Sequence, residues 1–398
     1  MSNRVEMSAP SHSGLVFLSL TLLTFLAASS APTPLYHLYQ ETMAFSAATL
    51  TLIFGVYALS LLTALLTVGS LSDHLGRKPV IFGALLLEIV AMGVFIVADS
   101  IPLLIAARVL QGFATGMATS VLGAALLDRD NRKGPLVNSL APLLGMACGA
   151  FGASVLAEFC ARPMQLVYEL LLALLVLQAL YVWRLPESVS AQPGALASLR
   201  PTLHVPSQAR RALWLSLPVD IAVWAVGGFY SSLAPSLVRA ATGSTSNLIG
   251  GGLVAILTLS GAAAIFSLRE RPADKVLQLG AGLLAVGVSL ILLAVHEASL
   301  ALFFVGTLVA GSGFGAGFLG ALRSVVPLAL PHERAGLMSA FYVLSYLAFC
   351  LPAFLAGSLS RTFGLIATTQ GYGGILIVLS LSALLALRLQ RPAKACAV

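Results

Sequence analysis

Charge is what this 398-residue chain has least of: 22 Lys and Arg with 15 Asp and Glu make up only 9% of it. A soluble domain of that length needs far more charge to cover its surface, so that class is excluded. Cysteine is scarce too. Cys148, Cys160, Cys350 and Cys396 show neither Cys-x-x-Cys spacing nor a disulfide framework, and they read as small apolar side chains. His37, His204, His296 and His332 are scattered and form no metal set, so neither a metal nor another cofactor is expected. No G-x-x-x-x-G-K-[ST], H-E-x-x-H or G-x-S-x-G pattern occurs, which argues against a P-loop, a zinc protease and a nucleophile elbow, and against an enzyme. The apolar runs are continuous and do not alternate, which excludes a β-barrel.

What is present is apolar length. Hydrophobic residues make up 58% of the chain. Runs of about 20 such residues read as bilayer-crossing helices, because only a helix satisfies its own backbone there. Twelve spans are predicted, at 14–36, 47–69, 79–98, 101–126, 136–158, 163–184, 211–238, 247–268, 276–295, 298–322, 334–358 and 368–388. The expected organisation is a tail at 1–13, a six-helix bundle at 14–185, a linker at 186–210, a second six-helix bundle at 211–390 and a tail at 391–398. Leu26–Ala31 resembles a signal-peptidase site, but cleavage there would leave eleven spans and termini on opposite sides. The halves look like repeats: Gly112 and Gly116 in the fourth span are echoed 199 residues on by Gly311 and Gly315 in the tenth. The net charge of +7 is explained by topology rather than by nucleic acid. Seventeen Lys and Arg, among them Arg4, Arg391 and Lys394, fall on the side of the 69–80 loop, against Arg162, Arg239 and Arg361 opposite. That bias places both termini in the cytoplasm, in a membrane expected to be the bacterial inner one.

The 69–80 loop reads Gly-Ser-Leu-Ser-Asp-His-Leu-Gly-Arg-Lys-Pro-Val. Gly69 permits close approach of a helix end, Gly76 a tight turn, and Asp73 needs a cation or a helix N-terminus. Gly69, Leu71, Asp73, Gly76, Arg77 and Lys78 fill every fixed place of G-x-L-x-D-x-x-G-R-K. In this the chain resembles the major facilitator superfamily, and the resemblance runs from residue 14 to about 390. It implies two six-helix bundles rocking about a central site, with the loop as a conformational latch in which Asp73 and Arg77 hold the halves together.

Arg108 stands out, because a guanidinium inside a span faces protein or water and needs an acceptor. Gln111, Thr115 and Thr119 follow at helical spacing on its face. Arg108, Gln111 and Gly112 also meet the family's R-x-x-Q-G pattern, which implies proton coupling or substrate handling. A structural Arg held by backbone carbonyls is the competing reading. Asp220 sits in a seventh span weakened by Pro218, Gly227, Gly228 and Pro235, with Trp224 one turn on. An acid and an aromatic on one face suit a cationic or amphipathic substrate. Glu88, inside the third span, reads as a coupling acid or a structural one; the resemblance puts its helix on the outside of the bundle. Tyr36 and Tyr39, behind Pro32 and Pro34, read as interfacial anchors. Arg323 reads as a snorkelling cation. The fifth span meets the family exporters' glycine pattern in part: Gly145 and Gly149 match, while Ala150 stands where Pro belongs.

These readings converge on an all-α membrane protein: a monomeric secondary transporter of a small molecule, driven by protons as efflux through alternating access. The alternatives are a proton-coupled uptake symporter for a sugar or organic acid and, from another class, a non-transporting membrane sensor.

Overall fold

The computed structural model describes residues 12–330 and 332–389. The tail at 391–398 with Arg391, Lys394 and Cys396, and residues 1–11 with Arg4, lie outside the described residues. Among the described residues there is no strand. Twelve helices are long and apolar enough to cross a membrane, which makes this an integral multi-pass protein.

The helices are α1 (His12–Ser30), α2 (Pro32–Met43), α3 (Ala47–Thr67), α4 (Leu71–Leu75), α5 (Arg77–Ile96), α6 (Ile101–Arg129), α7 (Gly134–Phe159) and α8 (Pro163–Tyr181). Then follow α9 (Ala195–Ser198), α10 (Ser207–Ser232), α11 (Ala234–Thr242), α12 (Asn247–Leu268), α13 (Ala273–His296), α14 (Leu300–Val325), α15 (Arg334–Phe363) and α16 (Leu365–Leu389). One buried cluster draws on residues between Leu18 and Val182, and a second on residues between Ala209 and Ala383. The helices join them mainly through two pairings, α7 with α12 and α3 with α15.

Span ends differ from expectation mostly at prolines. Pro32 and Pro34 fall in the first turn of α2, where a missing N–H costs nothing. The helix therefore resumes, and the first span extends to Met43. In the seventh span the helix breaks at Leu233, and α11 begins at Ala234-Pro235. The breaks in the first and seventh spans meet, with Thr33 Oγ1 donating to the carbonyl of Ser231 at 3.0 Å.

The paired glycines do the same job in each half. Backbone carbonyls of Tyr57 and Leu61 in α3 stand where a Cβ on Gly112 and Gly116 would go. The Leu257 and Gly261 carbonyls in α12 stand likewise against Gly311 and Gly315. Small residues thus let α6 lie on α3, and α14 on α12, at backbone contact.

The α7–α12 seam is fastened differently at its two ends. Away from the 69–80 loop, the N-terminus of α12 meets the first half: Asn247 N–H donates to Glu158 Oε2 at 2.8 Å, and Asn247 Nδ2 to the Ala157 carbonyl at 3.1 Å. Towards the loop end, Leu140 and Leu143 of α7 meet Ala262 and Ile265 of α12 through apolar contact.

Candidate functional site

Each half holds a buried polar group. In the first, Arg108 is 1% exposed, about 10 Å from the Ile101 end of α6. Its Nε donates to the Tyr36 hydroxyl at 2.9 Å, and Nη2 donates to the same oxygen. Nη1 donates to the Ser29 carbonyl at 3.0 Å and to Gln111 Oε1 at 2.6 Å. The guanidinium lies 4.9 Å from the Tyr57 ring centre. Gln111 passes the contact on, its Nε2 donating to the Ala28 carbonyl at 3.0 Å and to Glu88 Oε1 at 3.3 Å. Glu88 is fully buried, and its Oε2 has no partner. Thr115 and Thr119 hydroxyls donate back along α6, to the Gln111 and Thr115 carbonyls.

The break at Ala31 in the first span explains part of this arrangement. Ala28 and Ser29 lie in the last turn of α1, where carbonyls lack a helical donor, and Gln111 and Arg108 supply donors there.

In the second half, Asp220 is 1% exposed in the middle of α10. Pro218 lacks the N–H that would reach the preceding turn, which loosens α10 just ahead of it. Ser345 Oγ of α15 donates to Asp220 Oδ2 at 2.7 Å, while Oδ1 has no partner. The Trp224 indole N–H lies near that carboxyl without closing a hydrogen bond. Around Trp224 stand Tyr346 at 4.8 Å, Phe349 at 5.7 Å and Phe318 at 6.1 Å, ring centre to ring centre. Tyr342 follows at 6.3 Å from Tyr346. Among the described residues, Arg77, Glu88, Arg108 and Asp220 are the buried charged side chains.

Among the described residues, the hydrogen bonds and ion pairs of the 69–80 loop run to its own half and to the linker. Arg77 Nη1 pairs with Asp73 at 2.5 Å, and Nε with Asp128 at 2.9 Å. Glu187 accepts the backbone N–H groups of Arg77 and Lys78 at 2.8 and 3.0 Å, an anion set on the N-terminus of α5. Lys78 Nζ donates to the Trp183 carbonyl at 3.2 Å, and the Ser120 hydroxyl donates to the Gly69 carbonyl at 2.6 Å. Gln192 N–H donates to the His74 carbonyl, and Ser70 Oγ to that of Ser198. Further along, His204 N–H donates to the Gly336 carbonyl of α15. The linker is therefore a strap with one end on the loop and the other on α15. Beside it, the backbone N–H groups of Lys133 and Arg132 hold the Asp130 carboxyl below the ordinary range.

Gly76 makes the strap possible. Its φ of +94° belongs to glycine, and a Cβ there would meet the Glu187 carboxylate. Gly76→Ala is expected to release residues 187–198 and speed their cleavage several-fold in limited proteolysis of the purified protein. Unchanged cleavage kinetics would contradict this account.

Several participants were not legible in the sequence. Tyr36 is buried on Arg108 and Tyr39 donates to the Tyr168 hydroxyl at 3.3 Å, so neither is an interfacial anchor. The reason is the resumed helix after Pro34, which carries both inward. Glu88 points from α5 onto Gln111 of α6. Arg323 donates to the carbonyl of Arg271, in the loop between α12 and α13, at 2.9 Å. Ser345, Tyr342 and Tyr346 gave no signal in an apolar eleventh span, although their spacing at i, i+3 and i+4 was visible.

Comparison with known proteins agrees with this architecture. The family model described as Major Facilitator Superfamily matches residues 17–275. No curated protein matches. Among solved structures, a point mutant of the nucleoside transporter NupG is similar at 14% identity and a TM-score of 0.72, over 94% of this chain and 99% of that one. A bacterial homolog to the human lysosomal transporter Spinster, inward-facing and unoccupied, is similar at 16% identity and a TM-score of 0.75, over 94% and 96%. The human organic anion transporter MFSD10 (TETRAN) is similar at 19% identity and a TM-score of 0.65, over 93% and 98%.

Proposed function

The chain belongs to the major facilitator superfamily of transporters, and from that premise we propose that it exports a small molecule in exchange for protons by alternating access. The observation that carries the proposal is the pair of buried acids, Glu88 and Asp220, each with one carboxylate oxygen unpartnered inside a membrane span. A carboxylate in that setting is costly when charged and takes up a proton readily, which is what a coupling site needs. Arg108 and Gln111 connect Glu88 to the broken first span, and Ser345 ties Asp220 to α15. Two halves, 14–185 and 211–390, would move about these groups, with the 186–210 strap and both termini in the cytoplasm. The working unit is one chain in a bacterial inner membrane. The linker strap supports that orientation, because the loop end also carries the excess of Lys and Arg.

The test is proton flux in proteoliposomes, with an imposed pH gradient and a pH dye inside, screened over candidate compounds. Efflux predicts that a transported compound drives protons in the opposite direction. Movement in the same direction would make the protein a symporter. Absence of proton movement with every compound, in protein that is intact and inserted, would overturn proton coupling.

A further inference from the structure

We propose that the second-half group is a binding site for a monovalent lipophilic cation with aromatic or otherwise flat apolar substituents. The inference deepens the transporter reading and rests on it for its physiological sense, but its test reads binding alone.

The sign of the charge follows from comparing the two buried groups. Arg108 is already used. A guanidinium has five N–H donors, and four of them are engaged by the Tyr36 hydroxyl, the Ser29 carbonyl and Gln111. The Tyr57 ring covers its face, and Glu88 lies beyond Gln111 as an acid of opposite sign. Little of that cation is offered to an anion. Asp220 is the reverse case. Only Ser345 closes a hydrogen bond to it, Oδ1 is open, and no ion pair reaches it. The nearest cations that the sequence places on α10 and α14, Arg211 and Arg323, sit near the ends of those helices.

The shape of the site gives the rest. Trp224, Phe318, Tyr342 and Tyr346 are partly buried, while Phe349 and Asp220 are buried. Tilted and edge-on rings present π faces in several directions, which suits a cation carrying its own rings. The unpartnered Oδ1 then supplies a counter-charge that favours a cation over an anion of the same shape. The Trp224 N–H, also unpartnered, fits a polar substituent on the same ligand.

The probes are tetraphenylphosphonium and tetraphenylborate, near-identical in shape and opposite in charge. The protein is purified with Trp183→Phe and Trp214→Phe, leaving Trp224 as the remaining one of three tryptophans. Tetraphenylphosphonium is expected to quench it saturably. Asp220→Asn, which can still bond Ser345, is expected to weaken this about 10-fold or more, and Asp220→Glu to retain most of it. Tetraphenylborate is expected to give no saturable quenching. Equal saturable binding of the borate, or cation binding unchanged in Asp220→Asn, overturns the proposal, as does the lack of any saturable phosphonium signal. The comparison of the two ions needs no Asp220 variant and stands if that variant does not fold. Saturable cation binding without proton exchange would leave this site in place and remove the coupling reading. Proton exchange driven by a neutral or anionic compound, with no phosphonium binding, would do the opposite.

Discussion

Arg108→Ala is expected to reduce transport by on the order of 100-fold and to lower the thermal stability of the purified protein as well. The substitution removes four hydrogen bonds at once and leaves the Ser29 carbonyl and Gln111 Oε1 without their charged donor. Each buried polar group left unpaired costs about 1–3 kcal/mol, and a 100-fold loss corresponds to about 2.7 kcal/mol. Glu88 also loses the opposite charge of Arg108, which alters the acid proposed to carry protons. Arg108→Lys is expected to recover little, since one ammonium cannot reach Tyr36, Ser29 and Gln111 from a single point. Initial rates in proteoliposomes, with a thermal unfolding scan on the same preparation, check both parts. Near wild-type rates in Arg108→Ala would show that the cluster is only structural.

Gly112→Val is expected to be more damaging still, with little folded protein recovered. The Tyr57 carbonyl oxygen occupies the place of the new Cβ, so the clash is with backbone and not with a side chain that can rotate away. Overpacking a core costs about 1–3 kcal/mol when neighbours can shift, and here α3 itself would have to move. Such a shift would also break the Ser60 Oγ bond to the Val109 carbonyl at 2.6 Å and carry Tyr57 off Arg108. The measurement is the yield of monodisperse protein by size exclusion after extraction in mild detergent. A normal peak with normal transport would mean that α3 and α6 tolerate separation.

The fold was largely legible, because membrane helices announce themselves by length and polarity. The polar stripe was legible for a similar reason: Arg108, Gln111 and Thr115 share one helix, and spacing alone puts them on one face. Their partners were not. Tyr36 lies 72 residues away and Ser345 lies 125 residues from Asp220, so only packing of separate spans brings them together. Tyr36 was also masked by two prolines that look like helix breakers but sit where a helix begins. The loop shows the opposite limit. Its residues were recognisable from the sequence, while its true partner, Glu187, stands in a linker with no motif to mark it.

The unequal fastening of the α7–α12 seam has a thermal consequence. Separating Glu158 from Asn247 exchanges hydrogen bonds for water, a change whose heat-capacity effect is opposite in sign to that of wetting apolar surface. Separating Leu140 and Leu143 from Ala262 and Ile265 wets apolar surface, and that contact weakens on cooling. Under the alternating access proposed above, cold is therefore expected to favour release of the α7–α12 contact at the loop end.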